Sequence, residues 1–161
     1  MTTRHTLILL RHAKSDWSGD EPDRLRPLAP RGRRQAPEAG RWLADCGGRL
    51  DLALVSSATR AQQTWQLASA ELADPPPVRT EDGVYAASVG ELLDVVRDLP
   101  DEVGTVVMVG HNPGFEDLAT ALSGQPVPMP TSALAVLDLA GDWRTAGILE
   151  AHLRTSGRPP G

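Results

Sequence analysis

The chain has 161 residues, 40% of them hydrophobic, and a formal net charge of -5. This fits one globular domain with a full core and excludes a disordered chain, and the acidic balance argues against non-specific nucleic-acid binding, which needs a basic surface. A lone cysteine, Cys46, rules out an internal disulfide, and no signal-peptide core or membrane-length apolar run is present, so the expected setting is cytoplasmic with no membrane partner.

Residues 7–10 form a short all-apolar run, as expected of a central strand covered on both faces. Residues 15–30 are polar and proline-bearing, a long surface loop of the kind that often carries function. A helical pattern starts at Arg31, with Ala36, Ala39, Trp42 and Leu43 on one face and Gly47 as its stop; Pro37 is expected near its first turn, where proline is tolerated. Residues 51–56 read as a second strand, and 59–72 as a helix with Ala61, Trp65, Ala68 and Leu72 along one side. Pro75, Pro76 and Pro77 break the chain before a short third strand at 78–80.

Residues 88–99 form the next helix, with Ser88 as N-cap, Glu91 completing a capping box, and Leu92, Val95, Val96 and Leu99 as the buried stripe. The most apolar strand spans 105–109, and a helix over 113–122 ends at Ser123 and Gly124. Two late strands, 133–139 and 148–154, are expected to pair through Gly141 and Asp142, with a flexible tail over 156–161. The alternation predicts a single α/β domain over residues 1–155. Its architecture is a three-layer sandwich, a mostly parallel central sheet with helices on both faces.

Carboxyl ends of parallel strands meet in one crevice, where ligands bind. The first strand ends in Arg11-His12, the second in Ser56-Ser57 followed by Arg60, and the fourth in Gly110-His111-Asn112. Two imidazoles and two guanidiniums in one crevice make an anion site with a nucleophile inside it, which is the chemistry of phosphoryl transfer. A neutral His12 can attack phosphorus, and a protonated His111 is expected to stabilise charge on the transferring group. His5 and His152 lack such a setting and read as surface or edge residues.

The segments Leu10-Arg11-His12-Ala13-Lys14-Ser15, Arg26-Pro27-Leu28 with Gly32, Ser56-Ser57 with Arg60 and Thr64, Val109-Gly110-His111-Asn112 and Pro130-Thr131-Ser132-Ala133 occur in that order over residues 6–139. In them the chain resembles the histidine phosphatase superfamily, and within it the compact branch typified by SixA, the phosphohistidine phosphatase. The resemblance implies a phosphoglycerate mutase-like fold and His12 as the phosphorylated nucleophile. It also implies that Arg11, Arg60 and His111 complete the phosphate pocket. Ala29 stands where the commoner pattern has Ser or Thr.

Larger relatives place a carboxylate to protonate the leaving oxygen. No position matches it cleanly; Asp16, Glu81 and Asp82 are the candidates. A missing acid costs ~10²–10⁴-fold for an alkoxide leaving group, and less for phosphohistidine, whose leaving imidazole protonates near neutrality. The chain also lacks long insertions that would build a lid. The expected activity is therefore a metal-independent phosphatase without cofactor, acting on phosphohistidine in a protein. The alternatives are a small-molecule phosphomonoesterase for sugar phosphates or nucleotides, and a non-catalytic phosphoprotein-binding module. Trp17, in the loop after His12, is expected to wall the substrate entrance.

Overall fold

Alternation along two central strands decides the layers. A computed structural model of the chain describes residues 5–161. Among them the strands are β1 (Thr6–Arg11), β2 (Leu52–Val55), β3 (Val78–Thr80), β4 (Thr105–Gly110), β5 (Leu134–Asp138) and β6 (His152–Gly157). The α-helices are α1 (Pro30–Cys46), α2 (Thr59–Ser69), α3 (Val89–Arg97) and α4 (Gly114–Ser123). In β1, Leu7 and Leu9 face one core with α3 and α4, while Ile8 and Leu10 face a second core with α1 and α2. Val106 and Met108 of β4 join the first core, Val107 and Val109 the second. A strand buried on both faces must be apolar throughout, as these are.

The strands form one sheet in the order β3-β2-β4-β1-β5-β6. Pairing is parallel from β3 through β1 and antiparallel for β5 and β6. The three-layer, mostly parallel α/β architecture expected from the sequence is the one observed. Ser88 caps α3 as expected: its hydroxyl accepts from Glu91 N and Glu91 Oε1 accepts from Ser88 N.

Four expectations need correction. Pro37 lies in the third turn of α1, because Pro30 already occupies the first helical position. The last strand begins at His152, not 148, after a 3₁₀ turn at Trp143–Thr145 that leaves Ile148 and Leu149 exposed. The tail boundary shifts with it. Ser156 and Gly157 pair with Ala135 and Leu134, and an Arg158 guanidinium nitrogen lies 3.3 Å from Thr131 O. His5 is buried, its ring tilted against Trp143 at a centroid distance of 4.7 Å, with Nε2 3.1 Å from Asp101 O. His152 is exposed on the edge strand, as read from the sequence.

α1 and α2 cross closely enough that a Cβ on Gly40 would lie 2.1 Å from Ala68 O. Gly40→Ala should therefore lower unfolding free energy by about 1–3 kcal/mol, the usual cost of overpacking. Gly90→Ala, which meets only Ser88 Oγ at 3.9 Å, should be neutral or stabilising. Urea unfolding midpoints of the two variants check both expectations.

Candidate active site

β2, β4 and β1 are parallel neighbours, so their carboxyl ends open on one edge of the sheet. α1, after β1, packs on one face, and α4, after β4, packs on the other. This is a topological switch point, where a crevice opens between adjacent strand ends. His12 follows β1, Ser56 follows β2 and His111 follows β4, while Arg60 stands in the first turn of α2. The four residues singled out in the sequence thus come together here.

His12 is 7% exposed, and its Nδ1 donates to Ala13 O at 2.7 Å. A carbonyl only accepts, so the proton sits on Nδ1 and Nε2 keeps its lone pair. Burial, reinforced by the charges of Arg60, Arg11 and Arg26, pushes His12 down to about 4, leaving it neutral at pH 7. Its backbone is held from two sides. Ala13 N donates to Thr64 Oγ1 at 3.0 Å, and that hydroxyl donates to Arg60 O at 2.7 Å. Ser132, in the left-handed region at φ 65°, donates its N–H to the carbonyls of Arg11 and His12, each at 3.1 Å.

The ring of His111 lies 5.2 Å from that of His12, at an interplanar angle of 53°. Its Nε2 is 2.7 Å from Ser56 Oγ, and Tyr85 meets it edge-on at 5.6 Å. Burial first, then His12 and Arg60, pushes His111 down to about 3. The protein groups alone therefore keep His111 neutral, where the sequence reading expected an imidazolium. A doubly charged anion beside it would favour the protonated form.

Arg60 is also 7% exposed, and Arg11 donates through Nη1 to Met129 O at 3.0 Å. Arg11 Nε, Arg60 Nε and His111 Nδ1 are buried and have no protein partner. Buried polar atoms are nearly always paired, so unpaired nitrogens on three of these four side chains suit a bound oxyanion.

Asp23 escaped the sequence reading. Its Oδ2 accepts from Arg60 Nη2 at 3.1 Å and from the Tyr85 hydroxyl at 2.7 Å. Its Oδ1 accepts from Arg26 Nε and Nη2, both at 3.1 Å, and its carbonyl accepts from Arg60 Nη1 at 2.7 Å. The Tyr85 hydroxyl, then Arg26 and Arg60, hold its carboxyl down at about 2, so it is an anion and no proton donor. Asp23, Arg60, Tyr85 and His111 line a cavity of about 420 Å³. Nothing in the sequence separated Asp23 from Asp16, Asp20 and Glu21 of the same loop. A 3₁₀ turn at Asp23–Leu25 sets it at the mouth of the cavity, where its side chain stays half-exposed.

The three carboxyl candidates are engaged elsewhere. Asp16 accepts from Ser18 N and Oγ, Glu81 caps Gly83 N and pairs with Arg79, and Asp82 pairs with Arg24. Trp17 is 70% exposed, with the Arg26 guanidinium 3.5 Å from its ring centroid. A larger surface cleft of about 560 Å³ beside Leu43, Glu71 and Pro76 contains none of the four residues. Among the described residues no cluster of three or more His, Cys, Asp or Glu side chains is placed to hold a metal ion, and no helix is long and apolar enough to cross a membrane.

Comparison with known proteins points the same way. The family model of the histidine phosphatase superfamily (branch 1) matches residues 7–103. An uncharacterized protein of Mycobacterium tuberculosis is 38% identical over 145 residues, 83% of this chain and 89% of its own. Two solved structures are similar over nearly the whole length. The candidate phosphohistidine phosphatase SixA of Nakamurella multipartitia has a TM-score of 0.85 and 28% identity, covering 96% of this chain and 95% of that one. Its counterpart from Agrobacterium tumefaciens has a TM-score of 0.81 and 31% identity, covering 95% and 97%.

Two outcomes follow from the buried rings. Unfolded, His12 and His111 take up protons near 6.5, whereas folded they resist until about 4 and about 3. Protons thus favour the unfolded chain, so stability present above pH 6.5 should be lost as pH falls toward 4, and His111→Asn should flatten that slope. Binding of inorganic phosphate at pH 7 should draw a proton onto the site, seen by calorimetry in two buffers of different ionisation heat. His111→Asn should abolish the uptake.

Proposed function

Because the chain belongs to the histidine phosphatase superfamily and is a phosphatase, we propose that it works through a covalent phospho-His12 intermediate and that its substrate is phosphohistidine in a protein. The observation that carries the reading is the hydrogen bond from His12 Nδ1 to Ala13 O, in a ring kept neutral by burial. It leaves Nε2 as a nucleophile ready at neutral pH.

In the first step Nε2 of His12 bonds to phosphorus as the bond from phosphorus to the substrate imidazole breaks. The departing imidazole takes a proton from solvent, which is returned when the water of the second step gives one of its two protons to solvent and keeps the other on phosphate. In the second, water attacks phospho-His12, the bond from phosphorus to Nε2 breaks, and inorganic phosphate leaves with neutral His12 restored. Arg11 and Arg60 supply fixed positive charge to the equatorial oxygens, and His111 adds a proton-bearing nitrogen once the anion raises its affinity for protons. Asp23 holds the Arg60 guanidinium in place. Among the described residues the carboxylates lining the cavity, Asp23 and Glu91, are both held below the usual range and so are anions, which supports a leaving group that is easily protonated. The similarity to the two SixA structures supports the same substrate class.

The test combines trapping with a substrate panel. His12→Ala should lose at least about 10³-fold in turnover, and Arg60→Ala about 10²–10³-fold. Brief incubation with labelled substrate should leave an acid-labile label on His12. Full hydrolysis by His12→Ala would sink the covalent route. Turnover of sugar phosphates or nucleotides far above that of a phosphohistidine protein would instead establish a small-molecule phosphomonoesterase.

A further inference from the structure

The start of α1 lies directly against the loop that follows His12. Ala29 N donates to Lys14 O at 2.9 Å, and Lys14 N donates to Gln35 Oε1 at 2.9 Å. A Cβ on Gly32 would sit 2.1 Å from Lys14 O, so only glycine lets the helix come this close. Beside that contact, Arg31, Arg34, Gln35, Glu38 and Arg158 line a cleft of about 330 Å³. Arg158 reaches it from beyond β6, with Nη1 3.3 Å from both Thr131 O and Thr131 Oγ1. Thr131 precedes Ser132, whose N–H holds the carbonyls of Arg11 and His12. The cleft therefore adjoins the nucleophile's loop from two sides.

Its charge is one-sided. Arg31, Arg34, Arg158 and neighbouring Lys14 are all exposed, and Glu38 is the one carboxylate in the lining. None of the four cations is in an ion pair among the described residues. On a chain of net charge -5 this local excess stands out, and its members repel one another until an opposite charge arrives. A nucleic-acid backbone fits poorly, because it needs a long basic stripe and this cleft is short on a chain of net charge -5.

We propose that this cleft docks an acidic segment of the phosphoprotein substrate, gripping carboxylates that flank the phosphohistidine while its phosphoryl group enters the pocket at His12. The proposal rests on the phosphohistidine reading above. Charges at such a rim act on encounter and KM, and leave the chemical step alone.

The experiment uses the full chain and three histidine-phosphorylated peptides with one common centre and Glu-rich, Gly/Ser or Lys-rich flanks. At low salt the Glu-rich peptide should exceed the neutral one by about tenfold in kcat/KM, the size expected from two or three exposed charge pairs. The difference should lie in KM and vanish at about 0.5 M salt, where screening is short-ranged. Arg31→Glu/Arg34→Glu should erase or invert the preference, and Arg158→Gln should weaken it. Turnover of phosphoramidate should be unchanged in Arg31→Glu/Arg34→Glu, which also reports an intact fold. Equal kcat/KM for the three peptides, or a preference that survives charge reversal, overturns the docking surface and leaves the phosphohistidine reading standing. Hydrolysis of phosphoramidate with no turnover of any peptide overturns both. Displacement of the Glu-rich peptide by an oligonucleotide at lower concentration than by an unphosphorylated Glu-rich peptide marks a nucleic-acid site and overturns the proposal.

Discussion

Two imidazoles and two guanidiniums lie close together at the ends of three adjacent strands, and three of these four side chains are almost wholly shielded from water. Removing an imidazolium from water beside fixed positive charge is costly, so both rings give up their protons. That one constraint sets the chemistry. It leaves Nε2 of His12 with a free lone pair that needs no base to uncover it, and it leaves positive charge on arginines that cannot release it. A dianion placed beside the rings would reverse the local balance and favour a proton on His111.

The surroundings serve to keep these groups in place. Thr64 ties the backbone after His12 to the helix that carries Arg60, and Ser132 accepts a left-handed backbone to hold both carbonyls of the Arg11-His12 pair. Asp23 shares its carboxylate among Arg26, Arg60 and Tyr85, joining the long loop to the pocket. Groups fixed before the reaction need not reorganise during it, and that is where electrostatic catalysis gains most.

Much of this was legible in the residues themselves. The runs ending at Leu10 and Val109 are apolar at every position, a pattern that arises when both faces of a strand are covered, and both strands proved to be interior. Ser88 and Glu91 announced a helix start through local hydrogen bonds alone. Where local pattern was weak, the reading slipped. Ile148 and Leu149 look like strand residues but sit exposed before β6, and Gly157 looks like tail but closes the sheet edge. His5 has no distinguishing neighbours in sequence; Trp143 and Asp101, far along the chain, meet its ring.

The sequence by itself determined the order of strands and helices, the two faces of the sheet, and the four cationic or basic side chains at the strand ends, because periodicity and strand-end position are local properties. Tertiary structure alone decided that His111 is neutral, that Asp23 faces the pocket while Asp16, Glu81 and Asp82 bond elsewhere, and that α1 brings Arg31 and Arg34 beside Arg158. These depend on burial and on charges brought together from distant parts of the chain, which no spacing along the sequence encodes.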